Sequence, residues 1–452
     1  MTTRILGIDI GSAATRAVLV EARDDSSNVE LIDIKSSVSN GIKKGTITNI
    51  EQAAKSIRQA VDSITNIHGS DIDKYVVSIS GSDAGGANSE EVSNLQNIEK
   101  NTEIDVKQIE RLVVSAQSKA QIPHEYDILH TLPYKFILDD KNDIEDPRGM
   151  SASRLRILVK MIIAKKTAVT NLRKSVQRAG YRVDNIVLSG YASAISTLTE
   201  DEKSAGAVLI DMGHSTCNIV IYSGNTIIYN DFLPVGSNNI TQDLSTYFHM
   251  PLNTAEQIKT NYIRLLTSPQ SNTINVPDMG DSNASHEVDL ESILSAIHAR
   301  VEDTFLRLKH KLDKSGLMSQ VQAGIVLTGG MTQLDNIKEI ASSVFSAPVR
   351  LAKPNDTFIN NISESQRQYT NSCVLGLALY GAGHFTSYEI DSEQRLKYKD
   401  ELAAKVEQSK YTPPQQVVVG QSSNYMVDKK LKYEVEQQGL GARFLDWLKN
   451  LF

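Results

Sequence analysis

One local pattern occurs twice in this chain, and its repetition constrains the fold more than any other feature. Residues 4–20 read Arg-Ile-Leu-Gly-Ile-Asp-Ile-Gly-Ser-Ala-Ala-Thr-Arg-Ala-Val-Leu-Val. Residues 207–222 read Ala-Val-Leu-Ile-Asp-Met-Gly-His-Ser-Thr-Cys-Asn-Ile-Val-Ile-Tyr. Both are an apolar run, an aspartate, a glycine, small hydroxyl residues and a second apolar run. Such runs suit strands packed between two layers. The pattern therefore predicts two hairpins, each with an acid, Asp9 or Asp211, at the carboxyl end of its first strand. Gly11 and Ser12, and likewise Gly213, Ser215 and Thr216, can wrap a phosphate with backbone donors, while the acid holds Mg²⁺ through water. A single Asp-x-Gly turn is equally an ordinary hairpin. Two of them predict half-domains facing one another across a cleft. A third stretch, Gly324-Ile-Val-Leu-Thr-Gly-Gly-Met331, predicts another buried strand, with Gly329, Gly330 and Met331 where a flat ring or ribose would lie before a helix.

In this order the three pieces resemble the phosphate-1, phosphate-2 and adenosine motifs of the actin-like ATPase superfamily. Residues 39–45 (Ser-Asn-Gly-Ile-Lys-Lys-Gly), 146–151 (Asp-Pro-Arg-Gly-Met-Ser), 198–202 (Leu-Thr-Glu-Asp-Glu) and 234–236 (Pro-Val-Gly) narrow the resemblance to the FtsA family. That family tethers FtsZ filaments to the bacterial membrane. The resemblance runs from Ile5 to about Gly383 and resumes at the C-terminus.

The resemblance implies an α/β fold of the actin-like (ribonuclease H-like) type, two half-domains around a nucleotide cleft, with an FtsA-type insertion subdomain 1C. Subdomain 1A would span 1–82, 165–185 and 356–388, and 1C 83–164. Subdomain 2A would span 186–235 and 318–355, and 2B 236–317. The implied ligands are ATP and Mg²⁺, the metal held by Asp9 and Asp211 through water. Gly236, at the start of a helix beside the nucleotide, joins the binding set. So do Glu256 and Lys259, since heat-shock relatives use an equivalent Glu-x-x-Lys on the ribose. Arg300 resembles an arginine at the FtsZ-binding edge. On spacing alone, Glu256–Lys259 is equally a solvent-exposed ion pair, Arg300 a solvated helical arginine, and 83–164 a generic α+β insert. The implied partners are the FtsZ C-terminal peptide at 236–317, later division proteins at 83–164, other copies in filaments, and a lipid surface. The implied location is the cytoplasmic face of the cell membrane at the division site.

Composition sets looser bounds. A net charge of −7 carries no nucleic-acid footprint, and two distant cysteines, Cys217 and Cys373, suit a reducing compartment. The N-terminus has no signal-peptide pattern. Residues 267–288, rich in Ser, Asn, Asp and Pro, read as a surface loop. Residues 389–438 read as a polar linker with a transient helix near 393–408.

The segment 439–452, Gly-Leu-Gly-Ala-Arg-Phe-Leu-Asp-Trp-Leu-Lys-Asn-Leu-Phe, reads as an amphipathic helix. Leu440, Phe444, Leu445, Trp447, Leu448, Leu451 and Phe452 fall within an arc of roughly 160° at 100° per residue. It is too short to span a bilayer and suits lying in its interface. A terminal helix docked on its own domain is the plain alternative.

Two positions depart from the superfamily pattern. His214 stands where many members have glycine, adding bulk and a potential positive charge at the phosphates. Asn218 stands where many have an acid, which argues against efficient hydrolysis. The expectation is a nucleotide-gated scaffold, not an enzyme, with no catalytic residue assigned. Two other readings stay open: another actin-like scaffold of the pilus-assembly type, and a small-molecule kinase of the same superfamily.

Overall fold

A computed structural model describes residues 2–24, 26–94, 103–139, 141–224, 226–266 and 272–398. The expected helix at 439–452, and the linker beyond residue 398, lie outside these residues.

Both hairpins form as the repeated pattern requires. Thr2–Ile10 pairs antiparallel with Ala14–Arg23, and Ala207–Met212 with Cys217–Ser223. Asp9 lies opposite Arg16, and Asp211 opposite Asn218, so these are equivalent positions of one repeated motif. The repetition extends to whole sheets. In the first, the order runs Asn185–Leu188, Lys74–Ile79, Thr2–Ile10, Ala14–Arg23, Val29–Val38. In the second it runs Val349–Leu351, Gly324–Thr328, Ala207–Met212, Cys217–Ser223, Thr226–Leu233. In each, the Asp-bearing strand pairs parallel on one side and antiparallel on the other. The short strand Ile359–Asn360 extends the first sheet at its outer edge.

Helices cover these sheets where the sequence has an apolar stripe. Helix α1 (Ile50–His68) starts at Asn49, whose side chain accepts the Gln52 N–H, and buries Ala53, Ala54, Ile57, Ala60, Val61 and Ile64. Helix α2 (Val106–Lys119) belongs to the insertion. Helix α3 (Lys166–Ala179) returns the chain to the first half-domain and ends at Gly180 in the left-handed conformation. The short α4 (Ser189–Thr197) and α5 (Glu200–Ala205) lead into the second sheet. Helices α6 (Ser237–Tyr247), α7 (Leu252–Leu266) and α8 (Leu290–Ser315) form its outer subdomain. The stripe Ile293, Ile297, Val301, Phe305, Leu308 and Leu312 of α8 faces inward. Helices α9 (Ile337–Phe345) and α10 (Ser372–Gly381) follow. Every residue of α4 and α10 is buried, so these two form the central seam. They cross so closely at Gly376 that a Cβ there would lie 1.7 Å from the Ala192 carbonyl oxygen.

The insertion builds its own sheet. Ala84–Asn94, Arg154–Lys165 and Tyr126–Leu138 run antiparallel, with α2 packed against them through Ile109, Leu112, Val113 and Ala116.

Three expectations need correction. Residues 273–289 are not a loop: Thr273–Asp278 and Asp281–Asp289 form an antiparallel hairpin. Val276 and Val288 are buried, an alternation hidden among polar residues. The linker does not begin at residue 389. Glu389–Ile390 and Leu396–Lys397 pair with each other, and Ile390 pairs with Thr131 of the insertion sheet. The buried side chains of Glu389, Ile390 and Asp391 overrule the polar composition, and the same pairing replaces the helix expected from 393 over its described part. As expected, Gly329 and Gly330 precede a helix: a short 3₁₀ turn, Gly330–Gln333, leads to α9.

Candidate functional site

The two Asp-bearing turns open into one cavity of about 400 Å³, within the range of roughly 300–1,000 Å³ typical of small-molecule pockets. The first half-domain supplies Asp9, Gly11, Ser12 and Arg16. The second supplies Asp211, Gly213, His214, Ser215, Thr216 and Asn218. Glu256 and Lys259 of α7 and Gly329, Gly330 and Met331 close the remaining sides, with Leu334, Tyr369 and Cys373. Thus the structure gathers every residue expected at the nucleotide except Gly236. Gly236 packs behind the second turn, where a Cβ would lie 2.6 Å from the carbonyl oxygens of Gly213 and His214. It supports the loop and does not line the cavity.

Local hydrogen bonds fix the shape of the turns. The Gly213 N–H donates to the Thr216 carbonyl, closing the second turn at 2.9 Å. The carbonyls of Gly213 and His214 accept from Ser237 and Asn238, so the first N–H groups of α6 are satisfied by the loop. In the first turn, Ser12 Oγ accepts the Gly45 N–H at 2.9 Å.

The two acids are held differently. Ser78 Oγ donates to Asp9 Oδ1 at 2.9 Å, and Ser193 Oγ donates to Asp211 Oδ2 at 2.6 Å. Desolvation pushes the Asp211 carboxyl up to about 6; the Ser193 bond opposes this, Asp9 adds to it, and Arg16 offsets it. A Cβ at Gly329 would lie 2.4 Å from Asp211 Oδ1, and Gly329 has φ +93°, so only glycine lets that backbone sit against the acid. Cys373 also lies in this group: burial first, then Asp9 and Asp211, push its thiol well above the ordinary range.

Glu256 and Lys259 are not a solvated pair. Lys259 is only 6% exposed; its Nζ donates to Glu256 Oε2 at 2.7 Å and to Thr241 Oγ1 at 3.0 Å. Burial alone would raise the Glu256 carboxyl, yet the bonds from Lys259 and Thr241 hold it below its usual range. Burial, then Lys259, lower the His214 pKa, so at neutral pH this ring brings bulk but not the positive charge expected of it. Asn218 has a role the sequence did not reveal. Its Oδ1 accepts the Gly81 N–H at 3.0 Å, tying the second hairpin to the end of the strand Lys74–Ile79. Arg16, Ser193 and Cys373 were likewise missed. Arg16 had a signal: it is the register partner of Asp9.

The residues present fit a magnesium nucleotide. The lining combines the carboxylates of Asp9 and Asp211 and the donors of both turns with Met331, Leu334 and Tyr369. Among the described residues no cluster of three or more His, Cys, Asp or Glu could hold a bare metal ion. Asp9 and Asp211 would therefore hold a divalent ion through water, with phosphate completing its shell.

Arg300 is engaged within its own subdomain. Its guanidinium donates to both carboxylate oxygens of Asp243 and to Asp303. Neighbouring α8 cations are also engaged: Arg307 with Asp303, Lys309 with the Val344 carbonyl, and Lys311 with Asp231. The plain reading, a free solvated arginine, does not hold. No helix of the described residues is long and apolar enough to cross a membrane.

Comparison with known proteins adds a family. The model "Cell division protein FtsA" matches residues 208–374, and "SHS2 domain inserted in FTSA" matches 84–163. Cell division protein FtsA of Helicobacter pylori is 34% identical over 441 residues, covering 90% of this chain and 88% of that protein. The Pseudomonas aeruginosa protein of the same name is 32% identical over 379 residues, covering 83% and 89%. A solved PilM-PilN type IV pilus biogenesis complex aligns with a TM-score of 0.58 at 15% identity, covering 84% of this chain and 98% of that one. At that identity the likeness is one of fold: an actin-like pair of half-domains.

Proposed function

Because this chain belongs to the FtsA family of bacterial cell-division proteins, we propose that it is a nucleotide-gated scaffold binding MgATP between its half-domains. One observation carries the reading: Asp9 and Asp211, on equivalent turns of two sheets of the same topology, line one cavity. Backbone donors of Gly11, Ser12, Gly213, Ser215 and Thr216 would hold the phosphates, and Gly329, Gly330 and Met331 would border the adenosine. Glu256 and Lys259 would face the ribose. Binding that joins both turns would fix the angle between half-domains, and so the geometry with which copies stack into filaments. With Asn218 committed to Gly81, the second hairpin has no side-chain carboxylate beyond Asp211 to act as a base, so the reading is binding and not turnover.

The remaining parts of the reading rest on the family. Residues 236–317 would take the FtsZ tail peptide, with Arg300 exchanging Asp243 for a peptide carboxylate. The insertion would take later division proteins, and the segment 439–452 would lie on the cytoplasmic membrane surface at the division site.

Calorimetric titration with MgATP tests the core of the proposal. Wild type should bind, and a folded Asp9→Ala/Asp211→Ala double variant should bind far more weakly. Undiminished affinity in that variant would overturn the assignment.

A further inference from the structure

The last described residues are built into the molecule by buried charged groups. Glu389 has no exposed surface. Its Oε1 accepts from His130 Nδ1 and from the Tyr380 hydroxyl, each at 2.7 Å, and its Oε2 accepts from the Tyr191 hydroxyl at 3.0 Å. His130, also unexposed, accepts the Leu188 N–H at Nε2, which puts its proton on Nδ1 facing the carboxylate. The Tyr191 oxygen accepts the Thr386 N–H at 2.8 Å. Two residues beyond Glu389, the unexposed Asp391 accepts from the backbone of Glu393 and Arg395 and from the Asn185 amide. A buried carboxylate is tolerated only while its donors stay in place.

Those donors come from separate elements: His130 from the insertion sheet, Tyr380 from α10 and Tyr191 from α4. Helix α4 also reaches the cleft. Two residues after Tyr191, Ser193 donates to Asp211. At its last turn, Ser196 donates to the Ser372 carbonyl at the start of α10 at 2.6 Å. All nine residues of α4 are buried, and its backbone lies against Gly376, so the helix moves as a body or not at all. A shift that alters the Ser193–Asp211 bond must also alter the Tyr191–Glu389 bond.

We propose that α4 couples the cleft to residues 386–397, the stretch from which the C-terminal part of the chain departs. Ser193 on Asp211 is one end of the coupling, and Tyr191 on Glu389 is the other. The proposal rests on reading the cleft as a MgATP site. With Mg²⁺ held through water beside it, Asp211 would keep its bond from Ser193 and so fix α4, and with α4 the Tyr191 donor of Glu389. The effect is reciprocal by linkage: loosening 386–397 weakens the nucleotide.

Amide hydrogen exchange of the full chain tests this, with and without Mg²⁺ and a non-hydrolysable ATP analogue. Occupancy is checked calorimetrically in the same sample. Saturation should slow exchange across 386–397 by about fivefold or more. In Tyr191→Phe and Ser193→Ala, saturation should still slow exchange in the turns at 9–16 and 211–218 but no longer at 386–397. Unchanged exchange at 386–397 in saturated wild type overturns the coupling, whether or not the variants fold. Absence of binding by wild type overturns the nucleotide reading itself, and the coupling with it.

Discussion

Asp211 is a desolvated acid at the cleft that accepts a side-chain hydrogen bond from Ser193. Burial pushes its carboxyl up to about 6, against 3.8 as the ordinary value. The folded protein therefore holds the proton more tightly, and this group's contribution to stability is full below pH 4 and lost as pH rises through 6. At neutral pH the charged acid is a burden, on the order of 1–3 kcal/mol, that a cation would relieve. Asp211→Asn keeps an acceptor for Ser193 and removes the charge. It should raise the thermal midpoint at pH 7.5, leave it nearly unchanged at pH 4, and weaken MgATP. Thermal unfolding at the two pH values, beside a titration, checks all three.

Lys160 is a second such residue, away from the cleft. It is 5% exposed, and burial lowers its pKa to about 8. The unfolded chain holds this proton more tightly, so stability should rise as pH goes from 8 toward 10.5. Lys160→Met removes the buried charge at similar length and should stabilise the protein at pH 7 by roughly 1–3 kcal/mol, read from denaturant midpoints. Loss of stability would show that the ammonium has a partner of its own.

At the scale of elements, the crossing of α4 and α10 sets how the half-domains meet. Gly376→Ala would drive a methyl group into the Ala192 carbonyl and force the helices apart. Overpacking of this kind costs about 1–3 kcal/mol, so a lower thermal midpoint is expected. Because α4 carries Ser193, nucleotide affinity should fall as well, measured in a protein that still shows a cooperative transition. A variant that unfolds normally yet binds undiminished would separate the seam from the cleft.

The whole molecule adds the C-terminal segment. Its single tryptophan, Trp447, and six other apolar side chains share one face of the expected helix. Full burial of one large apolar side chain is worth roughly 1.5–3 kcal/mol, so seven would give on the order of 10 kcal/mol before ordering costs and partial immersion. One tail should bind lipid reversibly, and a filament of many tails far more firmly. Liposome co-sedimentation should therefore fall for a deletion of 439–452 and for Trp447→Glu. It should rise with protein concentration and MgATP in wild type. Equal sedimentation of wild type and both variants would remove the segment as the anchor.

The two Asp turns and the glycine pair after residue 328 were legible in the sequence. Strands, tight turns and amphipathic helices are local objects, written in spacing and residue type. Glu256 and Lys259 were legible as a pair, but the burial of Lys259 was not, since spacing fixes a helix face and not what covers it. What only the tertiary structure decided are contacts between residues far apart in the chain. Asn218 on Gly81, Ser193 on Asp211, Arg300 on Asp243 and Glu389 under Tyr191 each depend on packing that brings separate elements together. For the same reason a polar stretch that reads as linker from residue 389 instead closes the edge of a sheet. Glu389 and Asp391 are buried because His130, Tyr191, Tyr380 and Asn185, drawn from distant parts of the chain, supply the donors that water would otherwise provide.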